Sequence, residues 1–433
     1  MRLSNYDKFP FVPVSGRSTD VARGWDCIAD TLLQAATGWR VLVVEAYPGA
    51  DLAPLVRVLR HKISDLTVVD AASCLKPSGE IARLTAADVT DDPVFGRLTQ
   101  LQMLDFFDPG RLHQTRRQLE GVARAVVVGS GAALIHPGDI LVYADLARWE
   151  IQTRMRRGQF ANLGLDNRGE KWSLQYKRGY FVDWRVADRH KQALFDRIDF
   201  LLDTNAPDDP KLITGACFRG ALKHAATRPF RVVPFFDPAP WGGQWMKDVC
   251  DLDGSVQNYG WCFDCVPEEN SLLLGFGDVR VEVPSIDLVF ARARELLGEA
   301  VYQRFGAEFP IRFDFLDTMD GGNLSLQVHP LTDYIRRHFG MSYTQDESYY
   351  LLDAAPDATV YLGLRENIDR EEMCRQLFEA AAGRRSTFEA ERFVNRFPAA
   401  RHDHFLIPAG TVHCSGANSM VLEISATPYI FTF

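Results

Sequence analysis

The chain has 433 residues, of which 46% are hydrophobic and 24% charged, a balance typical of a soluble globular protein with two or three domains. A formal net charge of −9 argues against nucleic acid as the main partner. No apolar run approaches the roughly 20 residues of a membrane span, so no membrane partner is predicted. The first residues lack the apolar core of a signal peptide, and the eight cysteines are scattered, so the sequence predicts a reducing cytoplasm.

Short apolar runs alternate with amphipathic stretches in the N-terminal half of the chain. Residues 1–20 are polar and rich in turn formers, and are predicted to be a loosely held lead-in. The predicted strands are 40–45, 66–70, 123–129, 139–145 and 197–203, and the predicted helices are 22–36, 52–61 and 146–157. Buried strands that alternate with helices predict a doubly wound α/β domain over residues 21–229.

The turn that follows the first of these strands runs from Glu45 to Asp51. It occupies the position of the phosphate-binding loop in a nucleoside kinase, but it has no lysine, and its two acids would repel phosphate. A later strand ends in Asp145 and is followed by the arginine-rich segment 148–157. In these features the domain resembles uridine-kinase-like proteins. The resemblance implies a degenerate, kinase-like domain (a pseudokinase) that does not act on ATP, and an unrelated α/β domain is the alternative.

A basic cluster lies further along this half of the chain and consists of Arg178, Arg185, Arg189 and Lys191. Such a cluster can bind an anion, or it can form the solvated face of a helix. The solvated face is the preferred interpretation.

The sequence pattern changes near Phe230, where several prolines precede Trp241-Gly242-Gly243. A domain boundary is therefore predicted between residues 229 and 230. The strands predicted beyond it are 271–276, 279–283, 311–316, 324–329, 349–352, 358–364, 404–407 and 419–431, with helical insertions near 286–297 and 370–382. Short strands separated by glycines and turns predict a mainly-β barrel or jelly roll with helical insertions over residues 230–433.

Four side chains of this second domain form a candidate metal site. Gln327 and His329 are two residues apart, so on a strand they would point to the same face. Glu347 and His413 follow on segments that are also predicted to be strands. Two imidazoles, a carboxylate and an amide oxygen suit Zn²⁺ with room left for water or substrate, although Mn²⁺, Fe²⁺ and Co²⁺ accept the same donors. A single histidine on an apolar strand would usually be a core residue, but the ordered set favours a metal site.

The same motifs resemble class I mannose-6-phosphate isomerases of the cupin superfamily, over about residues 240–424. The landmarks are Trp241-Gly242-Gly243, Leu324 to Pro330, Glu347 to Tyr350, Pro408 to His413 and Val421 to Ile424. In that family the side chains that match Gln327, His329, Glu347 and His413 bind one zinc. The resemblance therefore implies a cupin domain with one Zn²⁺ per chain, a sugar phosphate as partner, and interconversion of mannose 6-phosphate and fructose 6-phosphate.

The chain departs from the family at two cationic positions. The family usually has Gly-Lys-Thr-Glu at the glutamate ligand, whereas this chain has Thr344-Gln345-Asp346-Glu347, with the neutral Gln345 at the lysine position. The arginine that follows the Val-Leu-Glu-Ile strand in the family has no counterpart before Phe433. Catalytic residues are therefore left unassigned, and the alternative function is a catalytically impaired, metal-containing sugar-binding or regulatory protein. The resemblance also predicts that the family's second β-domain is missing, so that the apolar segment 429–433 is an edge for self-association or a partner chain.

Other metal-binding or reactive side chains are given structural interpretations. His402 and His404 lie in a polar segment outside the family's ligand set. Cys262 and Cys265 form a lone CxxC with no second pair at zinc-site spacing, and are interpreted as ordinary cysteines of the barrel. Cys414, next to a predicted ligand, is expected to line the metal pocket without binding zinc.

Overall fold

The structure is a computed structural model that describes residues 4–35, 38–385 and 387–426. Its strands, numbered in chain order, are β1 Phe11–Pro13, β2 Ala22–Arg23, β3 Val41–Ala46, β4 Thr67–Asp70, β5 Ala125–Gly129, β6 Ile140–Asp145, β7 Phe200–Asp203, β8 Lys211–Thr214, β9 Phe235–Asp237, β10 Trp261–Phe263, β11 Ser271–Phe276, β12 Val279–Pro284, β13 Arg312–Asp317, β14 Glu347–Ala354, β15 Thr359–Leu364, β16 Val394–Pro398, β17 His404–Ile407, β18 His413–Ser415 and β19 Ser419–Ser425. Its α-helices are α1 Trp25–Gln34, α2 Ala53–Lys62, α3 Ser78–Val89, α4 Pro109–Glu120, α5 Ala132–Ile135, α6 Arg148–Arg156, α7 Trp172–Arg178, α8 Trp184–Leu194, α9 Gly215–Ala225, α10 Trp245–Val249, α11 Ile286–Phe305, α12 Thr332–Phe339, α13 Arg370–Ala381 and α14 Ala390–Phe393. The predicted edge at 429–433 lies outside the described residues.

The mixed α/β chain divides into two compact units that are interleaved in sequence. The α/β unit comprises Pro10–Val233 and Pro267–Phe309, and the β unit comprises Met1–Phe9, Pro234–Val266 and Pro310–Phe433. The chain passes from one unit to the other at Val233, close to the predicted boundary at 229/230. Segment 267–309, which the prediction placed in the C-terminal domain, lies in the α/β unit. Among the described residues, no helix is both long enough and apolar enough to cross a membrane.

The α/β unit is built on a seven-stranded sheet with the order β2-β8-β7-β6-β3-β5-β4. The strands from β7 to β4 are parallel, and β8 and β2 are added antiparallel at one edge. β3 is buried along its whole length, as expected for a continuous apolar run in the centre of a parallel sheet. In the strand order, β3 leads to β4 in one direction and β6 leads to β7 in the other. The carboxyl ends of β3 and β6, which are neighbours, therefore form a topological switch point.

Segment 267–309 joins the α/β unit through a second, three-stranded sheet. β11 and β12 form an antiparallel hairpin, and β11 also pairs in parallel with β1. The turn of the hairpin uses Gly277 at φ +60°, a backbone conformation that glycine adopts without strain. The backbone N–H of Glu282 on β12 donates to the Asp203 side chain at the carboxyl end of β7, over 2.8 Å. The segment therefore packs against the carboxyl edge of the large sheet.

The β unit contains a six-stranded sheet with the order β17-β14-β19-β13-β10-β9 and a three-stranded sheet with the order β16-β15-β18. Its largest core cluster combines residues of both sheets, such as Tyr349 and Val421 from the first and Val360 and Cys414 from the second. The prediction of a strand over 324–329 was wrong, because in this stretch only Gln327 makes a β-bridge, to His413. Helix α12, which follows this stretch, was not predicted.

The interpretation of the basic cluster as a solvated helix face was also wrong. Arg178 is 6% exposed and Lys191 is fully buried. The Lys191 ammonium group pairs with the carboxylates of Asp145 and Asp287, which come from β6 and from segment 267–309. Acids that are distant in sequence thus provide the counter-charge that allows the lysine to be buried.

Candidate metal centre

The β unit brings the four predicted ligands into one buried site. Glu347 is the first residue of β14 and His413 is the first residue of β18. Gln327 is held beside His413 by two backbone hydrogen bonds of 3.0 and 2.9 Å. His329 follows two residues later, and the N–H of Gly410 donates to its carbonyl over 2.8 Å. The site is therefore positioned by strand ends and by an irregular segment that is tied to β18 and to the turn preceding it.

The ligand atoms of His329, Glu347 and His413 all lie within 4.8 Å of one another. The carboxylate of Glu347 lies between the two rings, with Oε2 at 3.2 Å from Nε2 of His329 and Oε1 at 2.6 Å from Nε2 of His413. The three side chains are almost fully buried. The side-chain amide of Gln327 is 3.3 Å from Nε2 of His413, and rotating this amide by 180° would bring its oxygen to the same atom. This donor set matches a divalent metal site of mixed nitrogen and oxygen ligands.

A hydrogen bond outside the ligand set orients His413. Its Nδ1 lies 2.8 Å from the carbonyl oxygen of Thr411, which can only accept, so Nδ1 carries the proton. Nε2 is then the ring nitrogen that faces Glu347 and that can bind a metal once it has no proton. Metal-binding histidines are commonly fixed in this way by a backbone carbonyl.

The lowered pKa of Glu347 also favours cation binding. Burial raises the pKa of this carboxyl, but the hydrogen bonds and charges of His329 and His413 outweigh burial and hold the pKa well below its usual range. A carboxylate ligand must be ionised to bind a metal. Glu347 is thus ionised in the folded protein.

Two neighbouring side chains were not predicted as part of the site. Gln345 donates from Nε2 to Oε2 of Glu347 over 2.8 Å, and the same nitrogen is 3.4 Å from Oε1 of Glu423 on β19. Burial, and then the charge of Glu347, raise the pKa of Glu423 well above its usual range. The sequence signal was available, because Glu423 is the acid of the Val-Leu-Glu-Ile landmark, but its distance from Glu347 in sequence concealed the contact.

The remaining candidates lie apart from the ligand atoms. His402 pairs its Nδ1 with the hydroxyl of Tyr350 at 2.7 Å, and His404 is exposed on β17. Cys414 is buried, and burial raises the pKa of its thiol to about 12, so it is a poor metal ligand at neutral pH. Cys262 is buried on β10. Of the side chains described in the structure, His329, Glu347 and His413 are the group of His, Cys, Asp or Glu residues that could hold a metal ion.

Fold and site together define a mixed α/β protein whose β unit carries a candidate site for one divalent metal ion. A family model described as "Domain of unknown function (DUF8485)" matches residues 24–227. Mannose-6-phosphate isomerase of Streptococcus mutans serotype c is 30% identical over 185 residues, which are 42% of this chain and 52% of that protein. The probable mannose-6-phosphate isomerase GmuF of Bacillus subtilis is 27% identical over 202 residues, which are 46% of this chain and 58% of that protein. The chain thus spans about half the length of these curated relatives.

Two solved structures give a similar coverage. The mannose 6-phosphate isomerase from Bacillus subtilis has a TM-score of 0.38 at 20% identity, over 47% of this chain and 59% of that chain. A putative mannosephosphate isomerase from Archaeoglobus fulgidus has a TM-score of 0.39 at 21% identity, over 47% of this chain and 63% of that chain.

Proposed function

We propose that the β unit is a cupin-type domain that binds one Zn²⁺ and interconverts mannose 6-phosphate and fructose 6-phosphate. The observation that carries the proposal is the convergence of the ligand atoms of His329, Glu347 and His413 within 4.8 Å. Gln327 completes the set as an amide ligand. The curated isomerases that match part of the chain support the substrate class. Because the cysteines are scattered along the chain, the proposed compartment is the reducing cytoplasm.

The isomerisation moves a proton between C1 and C2 of the sugar through an enediol. The chemistry that a bound divalent ion supplies is stabilisation of the negative charge that develops on the sugar oxygens. His413 and Glu347 would hold the ion, since the Thr411 carbonyl fixes Nε2 as the free imidazole nitrogen. Glu423 lies beside these ligands, where the Gln345 amide contacts both it and Glu347, so we assign it the role of proton donor or acceptor in the transfer between C1 and C2.

The second candidate is a metal-containing sugar-binding or regulatory protein without turnover. The observation that favours it is Gln345, a neutral side chain where the resembling family has a lysine. Its amide contacts Glu347 and Glu423, so it supports the ligand carboxylate but supplies no charge to a phosphate or an enediolate. Both functions require the metal, and they differ in whether the substrate is converted.

A coupled assay for fructose 6-phosphate, run on the zinc-loaded full chain with mannose 6-phosphate, separates the two candidates. The isomerase predicts turnover that His413→Ala abolishes and that Glu423→Gln lowers by about 10²- to 10⁴-fold with the metal retained. His402→Ala is the matched histidine control and should have wild-type turnover. Binding of mannose 6-phosphate without turnover would establish the second candidate. A zinc-loaded protein that neither binds nor converts the sugar would refute both.

For the α/β unit we propose a degenerate kinase-like domain that does not transfer phosphate from ATP. Glu45, near the end of β3 and just before the turn, accepts hydrogen bonds from the N–H groups of Gly131 and Ala133 over 2.6 and 2.8 Å. A carboxylate thus occupies backbone donors at the carboxyl edge of the sheet, and no lysine stands in this turn. Calorimetry of the full chain with ATP and Mg²⁺ should show no binding, and phosphate transfer to a nucleoside or sugar would refute this proposal.

A further inference from the structure

Three arginines of the α/β unit lie together close to the switch point of the large sheet. Arg148 is the first residue of α6, three residues after the end of β6, and is 2% exposed. Arg185 and Arg189 are four residues apart on α8, which places them on one face of that helix. The guanidinium of Arg148 lies over the Trp184 ring at 4.9 Å.

The three guanidinium groups oppose one another electrostatically. Burial, and then the charge of Arg185, lower the pKa of Arg189. Burial and the charge of Arg148 also act to lower the pKa of Arg185, but Tyr180, Asp188 and Glu268 outweigh them, and this pKa is raised. Nη2 of Arg148 pairs with Asp188, which lies between Arg185 and Arg189 on the same face of α8, so the three guanidinium groups are neighbours.

The cluster also contains buried donors that lack acceptors. Within the part of the chain that the structure describes, Nε and Nη1 of Arg148, Nη2 of Arg185 and Nε of Arg189 are buried and donate to no acceptor. A buried donor without a partner is costly, and native proteins usually satisfy it. Four such N–H-bearing atoms on neighbouring guanidinium groups indicate a site for an acceptor with several oxygens.

The nearest acids do not fill this role. Asp188 accepts from the Tyr47 hydroxyl through Oδ1 and pairs with Nη2 of Arg148 through Oδ2 at 2.6 Å. Glu269 accepts from Tyr176 and Gln152, and burial raises its pKa. Glu268 contributes a further negative charge near Arg148 and Arg185. The acids therefore reduce the net charge of the arginine cluster, while the four buried donor atoms named above have no acceptor among the described residues.

We propose that Arg148, Arg185 and Arg189 form a binding site for a phosphate dianion, either free or carried by a phosphate monoester. Planar guanidinium groups bind phosphate oxygens through paired charge-assisted hydrogen bonds. The site lies by the carboxyl end of β6, the region where open α/β sheets bind their ligands. It belongs to the α/β unit, uses none of the proposed metal ligands, and does not depend on the proposed isomerase activity.

The test is calorimetric titration of the full chain with inorganic phosphate and, in a second arm, with adenosine 5′-monophosphate. Arg185→Gln removes one charged donor while keeping much of the side-chain volume, and should weaken binding at least about tenfold. Arg375→Gln, at an exposed arginine of α13, is the matched control and should bind as the wild type does. His413→Ala should also bind normally, because the metal site takes no part. If the monoester binds more tightly than inorganic phosphate, the ligand is a phosphate ester, and the reverse order identifies free phosphate.

Unfolding transitions followed by circular dichroism show whether each variant is folded. Arg189→Gln alters the less buried end of the cluster and provides the measurement if Arg185→Gln does not fold. Wild-type protein that binds neither ligand up to high millimolar concentration would overturn the proposal. Unchanged affinity in folded Arg185→Gln or Arg189→Gln would overturn it as well.

Discussion

The stability of the α/β unit is expected to fall as pH rises, because the buried carboxyl of Glu282 then loses its proton. This carboxyl lies on β12, in segment 267–309. Burial, followed by the charge of Asp203, raises its pKa to about 7. Its Oε1 accepts hydrogen bonds from the Ser271 hydroxyl over 2.5 Å and from Trp149 Nε1 over 3.1 Å. The perturbation we propose is Glu282→Gln, which keeps this acceptor oxygen and replaces the titrating oxygen by an uncharged amide.

The direction of this pH dependence follows from the number of protons that the folded and the unfolded states bind. Between the ordinary pKa of 4.5 and the folded pKa of about 7, the folded state binds more protons than the unfolded state. Stability therefore falls as pH rises through this window. At about 1.4 kcal/mol per pH unit, the free energy of unfolding falls by about 3 kcal/mol between the ordinary pKa of 4.5 and the folded pKa of about 7. Glu282→Gln should avoid this loss. The variant and the wild type should be similar near pH 4.5, and the variant should be more stable at pH 8.

The assay is urea unfolding followed by tryptophan fluorescence at several pH values, because urea does not screen charges. Glu295→Gln, at an exposed glutamate of α11 in the same segment, is the matched control and should follow the wild-type curve. A constant difference between Glu282→Gln and the wild type across the window would show that the substitution acts through packing. A wild-type stability that rises from pH 5 to pH 8 relative to the variant would refute the reasoning.

Three further outcomes test the metal site and the buried charges. Adding Zn²⁺ to metal-free protein should raise its unfolding temperature, with about 2.7 kcal/mol of stabilisation at a hundredfold excess over Kd, and the effect should be absent in His413→Ala but present in His402→Ala. Gln345→Leu removes the donor to Glu347, and competition with a chelating dye should show a loss of metal affinity of about tenfold or more. Lys191→Met leaves two buried carboxylates without their counter-charge, so denaturant unfolding should show a loss of about 3–5 kcal/mol, whereas a loss near zero would mean that these acids are protonated in the folded state.

Local sequence patterns were sufficient for the strands of the parallel sheet. β3 and β6 are continuous apolar runs, and a run of this kind is buried wherever the sheet forms. Segment 324–329 alternates apolar and polar residues as a half-buried strand does, but Gln327 makes the one β-bridge within it, so no strand forms there. Propensity within the segment cannot reveal how many partners the rest of the fold supplies.

Long-range contacts account for the other differences. Segment 267–309 has the short strands of a β domain, yet β11 pairs with β1, which is about 260 residues earlier in the sequence. Lys191 is buried because Asp145 and Asp287 come from two distant segments. The candidate metal ligands could be proposed by motif because their order along the chain matches a known pattern, whereas the contact of Glu423 with Gln345 depends on the pairing of strands.

The contact between Gln345 and Glu423 affects the two proposed properties, metal binding and turnover, in different ways. In the resembling family a lysine occupies the position of Gln345, where its positive charge would stabilise an ionised neighbouring acid. Here the amide is neutral, and burial together with the charge of Glu347 raises the pKa of the Glu423 carboxyl. The proposed metal site at His329, Glu347 and His413 therefore keeps its carboxylate between two imidazoles, while the positive charge of the family's lysine is absent. The proposal of zinc binding rests on the buried carboxylate between two imidazoles, and the proposed conversion of the sugar depends on whether Glu423 can replace the chemistry of the missing lysine.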